Sequence, residues 1–214
     1  NAWFVGEPFK VFYDYKKEGI WQLGEEAAAA ANGQEPGDIK VQDVDGNGVI
    51  TTDDRIIYSQ RPDVTFGFNN TFNYKGFDLS VFLYARLGQW IAYDYNTTYR
   101  INALENGGNV DYWTPENPTN AFPRPNKSKS YTQVTYYSTL KYEDGSFFKI
   151  RDITLGYTFK PELLKHLNLS RLRVYATAKN FFTFSKIDNY DPEQGGSISF
   201  PMTKQLVFGL NVEF

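Results

Sequence analysis

The stretch FDLSVFLYARL, residues 77–87, decides the fold class, because its side chains alternate in character with a period of two. Every second position from Phe77 to Leu87 is apolar, whereas the positions between them include Asp78 and Arg86. Successive side chains of a β-strand point to opposite faces of the sheet. The pattern therefore predicts a strand with one apolar face and one face that carries charge.

The same alternation recurs along the chain and predicts an all-β fold class. Further strands are expected at about 63–74, 146–160, 170–184 and 203–214. In the second of these segments the apolar phase breaks near Arg151–Asp152, where a β-bulge would re-aim the side chains. The chain thus contains five well-defined predicted strands.

The connections between these strands alternate between short and long. Residues 74–76 form a tight turn, and residues 161–170 form a short connection that begins with a proline at the first position of a helical turn. The connection at about 95–145 is very long, and another long stretch precedes residue 62. Short turns on one side and long loops on the other are typical of bacterial outer-membrane barrels. We therefore interpret the strands as antiparallel strands of a transmembrane β-barrel, with the lipid bilayer against their apolar faces and the long loops outside the cell.

Aromatic residues fall near both predicted edges of the membrane. If the last strand ends in the periplasm, the residues near the periplasmic rim are Tyr74, Phe77, Tyr157, Phe159 and Phe214. Those near the outer rim are Trp90, Tyr93 and Tyr95. Two such girdles are expected of a barrel that spans the membrane.

The number of strands indicates a segment of a longer protein. Five strands, or six with a partial strand at 3–22, cannot close a barrel, because single-chain bacterial barrels begin at eight strands. An open sheet edge in lipid leaves backbone N–H and C=O groups unsatisfied. We expect the missing strands in chain that precedes Asn1. The predicted organisation is an extracellular calcium-loop region at 1–62 and barrel strands at 63–214, which include the long extracellular loop at about 95–145.

The segment 43–54, DVDGNGVITTDD, matches the calcium-loop pattern D-x-[DN]-x-[DN]-G with an acidic residue at the twelfth position. Ca²⁺ prefers hard oxygen ligands that converge from a flexible loop. The expected ligands are the side chains of Asp43, Asp45, Asn47 and Asp54, the carbonyl of Val49, and Thr51 directly or through water. We expect a structural Ca²⁺ here. The alternative is an Asp/Gly-rich turn that its own side-chain hydrogen bonds stabilise without metal.

Composition and missing motifs exclude several classes of function. With 22 Lys and Arg against 25 Asp and Glu, the net charge of −3 argues against nucleic-acid binding. The absence of cysteine excludes disulfides, thiol nucleophiles and thiolate metal sites. The single histidine, His166, lies in a short turn and is read as a surface residue. Acidic pairs such as Asp53/Asp54 and Asp191/Glu193 carry no specific catalytic signal, so we predict no catalytic residues and no enzyme activity.

An alternative reading is a soluble secreted β-rich carbohydrate-binding module with a calcium-stabilised loop, because such sandwiches also alternate and carry many aromatics. Several aromatic residues of the long loop could stack on sugars or pack the loop against itself. They are Tyr99, Tyr112, Trp113, Tyr131, Tyr136 and Tyr137. The module would be extracted without detergent, whereas the barrel wall requires it.

Segments spread along nearly the whole chain match, in order, the pattern of one family. They are VGEPF (5–9), GDIK (37–40) leading into the 43–54 loop and Arg55, PDVTFGF (62–68), YKGFDLS (74–80), YWTPENP (112–118), DGSFFKIRDITLGY (144–157), NFFT (180–183), YDPE (190–193) and the terminal Phe214. Together they resemble the C-terminal part of the SusC/RagA family of TonB-dependent outer-membrane transporters.

The resemblance implies more than the residues alone. Members of this family enclose a plug domain in a barrel of about 22 strands and lie in the outer membrane of Gram-negative bacteria. They import large nutrients, often oligosaccharides and sometimes peptides, with a SusD-like surface lipoprotein as a lid and energy delivered through the TonB complex. By this resemblance the plug lies outside the present sequence, and Phe214 resembles the terminal aromatic by which barrel proteins are recognised for insertion. The substrate-binding residues remain unknown.

Overall fold

The computed structural model describes residues 3–9, 11–102 and 108–214. The strands in those residues are β1 Phe12–Tyr15, β2 Lys17–Ile20, β3 Ile39–Val41, β4 Arg55–Tyr58, β5 Val64–Tyr74, β6 Phe77–Leu87, β7 Trp90–Ala92, β8 Tyr142–Asp144, β9 Phe147–Thr158, β10 Arg171–Ser185 and β11 Gln205–Glu213. The α-helices are α1 Glu26–Ala31 and α2 Pro161–Leu164. Across these described ranges, neither helix is long and apolar enough to cross a bilayer.

The chain forms two compact units. The first, here called the loop unit, comprises residues 1–61, 90–144 and 195–198. The second, the sheet unit, comprises residues 62–89, 145–194 and 199–214. The sequence prediction assigns the connection at 95–145 to the strand region, whereas in the structure this connection is part of the loop unit.

The sheet unit is a five-stranded antiparallel meander in the order β5-β6-β9-β10-β11. Each strand therefore pairs with the next long strand along the chain. The prediction of an all-β, antiparallel fold is confirmed, and each of the five predicted segments matches one of these strands to within a few residues at either end.

Tight connections join the strands at one end of the meander. Tyr74 pairs with Phe77, so that only Lys75 and Gly76 form the turn. Their φ angles are +48° and +91°, which a two-residue hairpin turn of type I′ requires. The next short connection contains α2, which begins with Pro161 as predicted.

The predicted β-bulge is present. Phe82 pairs with Asp152 and Leu83 pairs with Ile150, which leaves Arg151 as the extra residue of β9. A second irregularity separates Lys179 from Phe182 in β10, where the backbone of Asn180 has a φ of +58°. Only the bulge at Arg151 shifts the apolar residues from one set of alternate positions to the other. The sequence pattern therefore predicted this bulge and not the irregularity in β10.

One face of the meander is apolar and uncovered. Phe208, Leu210 and Leu155 are 77%, 68% and 51% exposed. A soluble sandwich would cover this face with a second sheet. Leu79 and Val81 are only partly buried, so these side chains are not enclosed in a water-soluble core. The face is suited to contact with hydrocarbon.

The aromatic residues at the hairpin end form a cluster. The ring centroids of Phe77 and Tyr157 are 4.6 Å apart, and those of Tyr157 and Phe159 are 5.1 Å apart. Tyr74 and Phe214 are 69% and 94% exposed. This arrangement agrees with the girdle predicted for the periplasmic rim.

The predicted outer girdle of Trp90, Tyr93 and Tyr95 is wrong. The alternation ends at Leu87, and Trp90 begins β7, which pairs with β8 inside the loop unit. The Trp90 ring packs on Tyr58 with centroids 4.8 Å apart, and Tyr93 is only 5% exposed. The pairing of β7 with β8, which is distant in sequence, therefore places Trp90 and Tyr93 inside the loop unit. The local sequence pattern had placed these rings at the edge of the membrane.

The loop unit has its own hydrophobic core, and the long connection supplies much of it. The buried members are Ile20, Ile39, Val41, Tyr99, Ile101, Trp113 and Leu140. Trp113 Nε1 donates a hydrogen bond to Gln22 Oε1 at 2.8 Å, and Tyr99 Oη donates to the carbonyl of Pro123 at 2.7 Å. Tyr99 thus packs the long connection against itself, whereas Trp113 joins it to the N-terminal part of the loop unit.

Candidate functional sites

The predicted calcium loop connects β3 to β4. Its best-anchored side chain is that of Asp54. The Asp54 side chain is fully buried and accepts hydrogen bonds from the backbone N–H groups of Thr51 and Val44, both at 2.7 Å. These donors, Thr51 first, lower the pKa of the Asp54 carboxyl because they stabilise its charged form. The twelfth position of the loop is therefore held as a carboxylate.

The first position of the loop is organised in the same way. Asp43 accepts hydrogen bonds from the N–H groups of Gly46 and Gly48, both at 2.8 Å. Both glycines have positive φ angles, +73° and +84°, so the sharp turn needs residues without a Cβ. The backbone of residues 46–48 thus turns around the carboxylate of Asp43 and donates hydrogen bonds to it.

Three of the six predicted ligands converge. Carboxylate oxygens of Asp43, Asp45 and Asp54 lie within 4.8 Å of one another. Two oxygens that bind one Ca²⁺ at 2.3–2.6 Å are separated by at most about 5 Å. The spacing therefore fits a single hard cation.

The other three predicted ligands are less decisive. Asn47 Oδ1 accepts from the N–H of Val49 at 2.8 Å, and Thr51 Oγ1 accepts from the N–H of Asp53 at 3.2 Å. These are the local side-chain hydrogen bonds that a turn without metal also forms. The geometry of Asn47, Val49 and Thr51 is thus compatible with both readings, and the ligand set stays a prediction.

On the polar face of the sheet unit, an ion pair crosses the middle strand. Arg173 on β10 donates to both carboxylate oxygens of Asp78 on β6, at 2.8 and 2.5 Å. Gly156 on β9 lies between them, and a Cβ there would be 2.5 Å from Arg173 Nη2 and from Asp78 Oδ1. The glycine therefore leaves the room that the bidentate pair needs.

A second cluster of ion pairs links the connection between β10 and β11 to the polar face of the sheet. Lys149 Nζ contacts Asp191 Oδ2 at 2.6 Å and Glu193 Oε2 at 2.8 Å, and its side chain is fully buried. Arg151 Nη1 lies 3.1 Å from Glu193 Oε1, and Thr183 Oγ1 donates to Asp191 at 3.3 Å. Two cations thus balance two carboxylates.

Sequence analysis missed this cluster. It considered Asp191 and Glu193 only as an unspecific acidic pair, and it gave Lys149 no role. The available signal was the alternation of β9, which places Lys149 on the face opposite Phe148 and Ile150. A buried lysine on a polar face requires carboxylate partners, but sequence alone does not say which ones.

A meander of long strands with an uncovered apolar face and a charged reverse face defines the wall of a transmembrane β-barrel. Comparison with known proteins gives the same class. TonB-dependent receptors P3 and P26 of Formosa agariphila are 31% and 32% identical to the chain, each over 98% of its residues. TonB-dependent receptor SusC of Bacteroides thetaiotaomicron is 31% identical over 80% of the chain. The chain spans 22%, 23% and 17% of these receptors, about a fifth of their length.

Solved structures agree with these relatives. The RagAB peptide transporter matches 95% of the chain with a TM-score of 0.68 and 24% identity. The RagAB peptide importer in its open-open state matches 95% with a TM-score of 0.64 and 25% identity. The chain covers 23% and 22% of these two solved chains. No family model matches the chain. The resemblance to the SusC/RagA family of TonB-dependent receptors that the sequence shows is confirmed by these relatives and solved structures, and such receptors are outer-membrane proteins of Gram-negative bacteria.

Proposed function

We propose that the protein imports large nutrients, oligosaccharides or peptides, across the outer membrane, and that this chain contributes barrel wall and extracellular loops. The observation that carries the proposal is the meander with one exposed apolar face and one charged face. The names of the relatives support it, since they include SusC and a peptide transporter. We infer a SusD-like surface lipoprotein and the TonB complex as partners, by analogy with those relatives.

In this proposal the polar face lines the transport path and performs no chemistry. The relatives compared above are named as receptors or transporters. The carboxylates of Asp191 and Glu193 are engaged with Lys149, and those of Asp54 with backbone donors. These acidic groups therefore act as structural anchors.

Uptake by living cells tests the import proposal. Cells that lack the receptor gene are expected to lose uptake of the fluorescently labelled nutrient on which the gene is induced, and the intact gene restores it. A protonophore should stop uptake, because TonB delivers energy from the proton gradient, while surface binding of the nutrient persists. Unchanged uptake in the deletion strain would reject the proposal.

We also propose that residues 43–54 bind a structural Ca²⁺. The supporting observations are the convergence of three carboxylates and the match of the loop to the oxygen-donor pattern. Asp43, Asp45 and Asp54 would hold the ion, with Asn47, Val49 and Thr51 completing the set. The ion would neutralise carboxylates that otherwise repel one another at this spacing.

Calorimetric titration of the intact, chelator-treated receptor with CaCl₂ tests the metal site. D45N is the informative variant, because its amide oxygen can still accept from the N–H of Asn47, which lies 3.1 Å from Asp45 Oδ1. We expect D45N to weaken Ca²⁺ binding at least tenfold. D53N is the matched control, since the exposed Asp53 lies outside the three-carboxylate cluster. No binding at millimolar Ca²⁺, or equal loss in both variants, contradicts the site.

A further inference from the structure

A cavity of about 500 Å³ lies in the sheet unit beside the end of β10. Phe181, Thr183 and Ser185 of β10 line one side of it, and residues of the connection to β11 line the rest. Thr183 and Asp191 border the cavity and also belong to the ion-pair cluster on the polar face. The cavity therefore adjoins the face that lines the transport path in the proposed function.

The end of β10 is paired with a strand on one side only. β9 pairs with β10 as far as Ser185, whereas β11 pairs with it only as far as Lys179. The backbone groups of a strand point alternately to its two sides. Within the described chain, the segment Phe182–Ser185 therefore presents unpaired N–H and C=O groups on the β11 side, and we call this segment the open edge. Such an edge is a template for a further strand.

The chain does not fill the open edge itself. Residues 201–204 would continue β11 along β10, but they form no strand. Pro201 has no N–H to donate to a ladder, and the carbonyl of Thr203 accepts a hydrogen bond from the side chain of Asn180 at 3.2 Å. Because β11 begins only at Gln205, the space beside the open edge remains as the cavity.

One exposed charge of each sign flanks the open edge. Asp188 and Lys204 both line the cavity, and neither side chain forms an ion pair or a hydrogen bond with another described residue. Lys204 adjoins Gln205, the last partner of Lys179, whereas Asp188 follows the end of β10. The cation therefore lies near one end of the open edge and the carboxylate near the other.

We propose that the cavity binds a short extended peptide, which adds to the open edge of β10 as a further strand. Backbone hydrogen bonds supply the affinity, as in other cases of strand addition. The peptide's ammonium group pairs with Asp188 and its carboxylate with Lys204. This direction is antiparallel to β10, as are β9 and β11.

The length of the open edge limits the ligand. At about 3.3 Å per residue, Phe182–Ser185 spans about 13 Å, which suits a peptide of about five residues. A saccharide is disfavoured, because it lacks donors and acceptors at the regular spacing of a strand. This ligand class rests on the import function proposed above and makes it more specific.

Calorimetric titration of the purified intact receptor in detergent tests the mode of recognition without any uptake step. The probe is the peptide Ala-Val-Thr-Val-Ala with free ends. One analogue is N-methylated at both valines, and the other is N-methylated at the threonine. Because alternate N–H groups of an added strand face the same side, we expect one analogue to bind at least tenfold more weakly than the parent and the other to bind like the parent. Equal affinities of the two analogues, tighter binding of maltohexaose, or absence of millimolar binding of the parent overturns the proposal.

Variants locate the peptide in the cavity. D188N and K204Q are each expected to weaken binding of the parent peptide about threefold, as the loss of an exposed ion pair does. K165Q, which changes an exposed lysine outside the cavity lining, leaves binding unchanged. Acetylation of the peptide's amino end should abolish the effect of D188N, and amidation of its carboxyl end should abolish that of K204Q. Unchanged affinity in both variants overturns the proposed position. A receptor that restores nutrient uptake in deletion cells but binds no peptide rejects this site and leaves the import function standing.

Discussion

A single glycine controls whether the charges of the polar face can pair. Gly156 separates Asp78 and Arg173, and its hydrogen atom occupies the place where a side chain would strike both partners. Gly67 on β5 shares the same face, but a Cβ there would make only ordinary van der Waals contacts with the Phe82 ring, at 3.7 and 3.8 Å. The Asp78–Arg173 ion pair therefore requires a glycine at position 156, whereas position 67 has room for a larger side chain.

We predict that G156A destabilises the intact receptor by about 1–3 kcal/mol, because the displaced ion pair leaves partly buried charged groups unsatisfied. G67A should change the stability by less than about 0.5 kcal/mol. Guanidinium unfolding in lipid vesicles, followed by tryptophan fluorescence, measures both variants. Equal effects of the two substitutions would contradict this role of Gly156.

Lys149 provides the second prediction for a single residue. K149M removes the cation shared by Asp191 and Glu193 and is expected to cost about 3–5 kcal/mol, because it leaves largely buried carboxylates unpaired. K179M is the control, since Lys179 pairs with Asp152 at 3.8 Å in a half-exposed position and should cost at most about 1 kcal/mol. The same unfolding assay applies, and a K149M loss no larger than that of K179M argues against a stabilising cluster.

Among the elements, the hairpin turn between β5 and β6 has a defined conformational requirement. Gly76 has a φ of +91°, and a Cβ would lie 2.8 Å from the carbonyl oxygen of Thr158. We predict that G76V costs about 1–2 kcal/mol or more from the left-handed backbone alone. K75N should be tolerated, since asparagine is favoured at the first position of such turns. The fraction of receptor that refolds into detergent micelles measures the effect, and equal refolding of both variants contradicts it.

The two faces of β11 allow a direct test of which side meets lipid. Phe208 belongs to the apolar face and Val207 to the reverse face, because the two are neighbours in one strand. F208R is expected to destabilise the receptor by about 2–4 kcal/mol in vesicles, whereas V207R should cost about 1 kcal/mol or less. If V207R proves the more costly of the two, the assignment of the faces is reversed.

Strands were predictable because their signal is local. The alternation in residues 77–87 coincides with β6, and the phase break near Arg151 located the bulge. The turn at residues 74–76 also followed from the sequence. By contrast, the burial of Tyr93 depends on β7 pairing with β8, about fifty residues away, and no local pattern contains that information.

The candidate sites also divide into those with a local sequence signal and those that depend on contacts between distant residues. The loop at 43–54 was found because its donors are close in sequence, and three of them do converge. The contacts of Lys149 with Asp191 and Glu193 span more than forty residues. Sites that long-range packing assembles could not be read from the sequence.

For the molecule as a whole, tyrosine ionisation reports the integrity of the loop unit. Burial, followed by the negative charge of Asp14, raises the pKa of Tyr58 and of Tyr142. Unfolded tyrosine ionises near pH 10, so above that pH the unfolded state loses protons first and stability falls as pH rises. Below about pH 10 these groups contribute no pH dependence.

We therefore predict a late fraction in the alkaline titration of the receptor, measured by absorbance at 295 nm. Tyr58 and Tyr142 should ionise only when the loop unit opens, above the pH at which exposed tyrosines ionise. Y58F is expected to reduce the amplitude of this late fraction, whereas Y112F, which removes a 42% exposed side chain, reduces the early one. A titration in which every tyrosine ionises in one step near pH 10 contradicts the prediction.

The composition of the loop unit from three separate stretches of chain has a consequence for biogenesis. Its last stretch, 195–198, lies between β10 and β11, and the carbonyl of Gly196 accepts a hydrogen bond from the N–H of Asp94 at 3.0 Å. The loop unit is therefore complete only when the connection between β10 and β11 has joined it. A protease that cuts incompletely assembled loop units would distinguish newly folded molecules from mature ones.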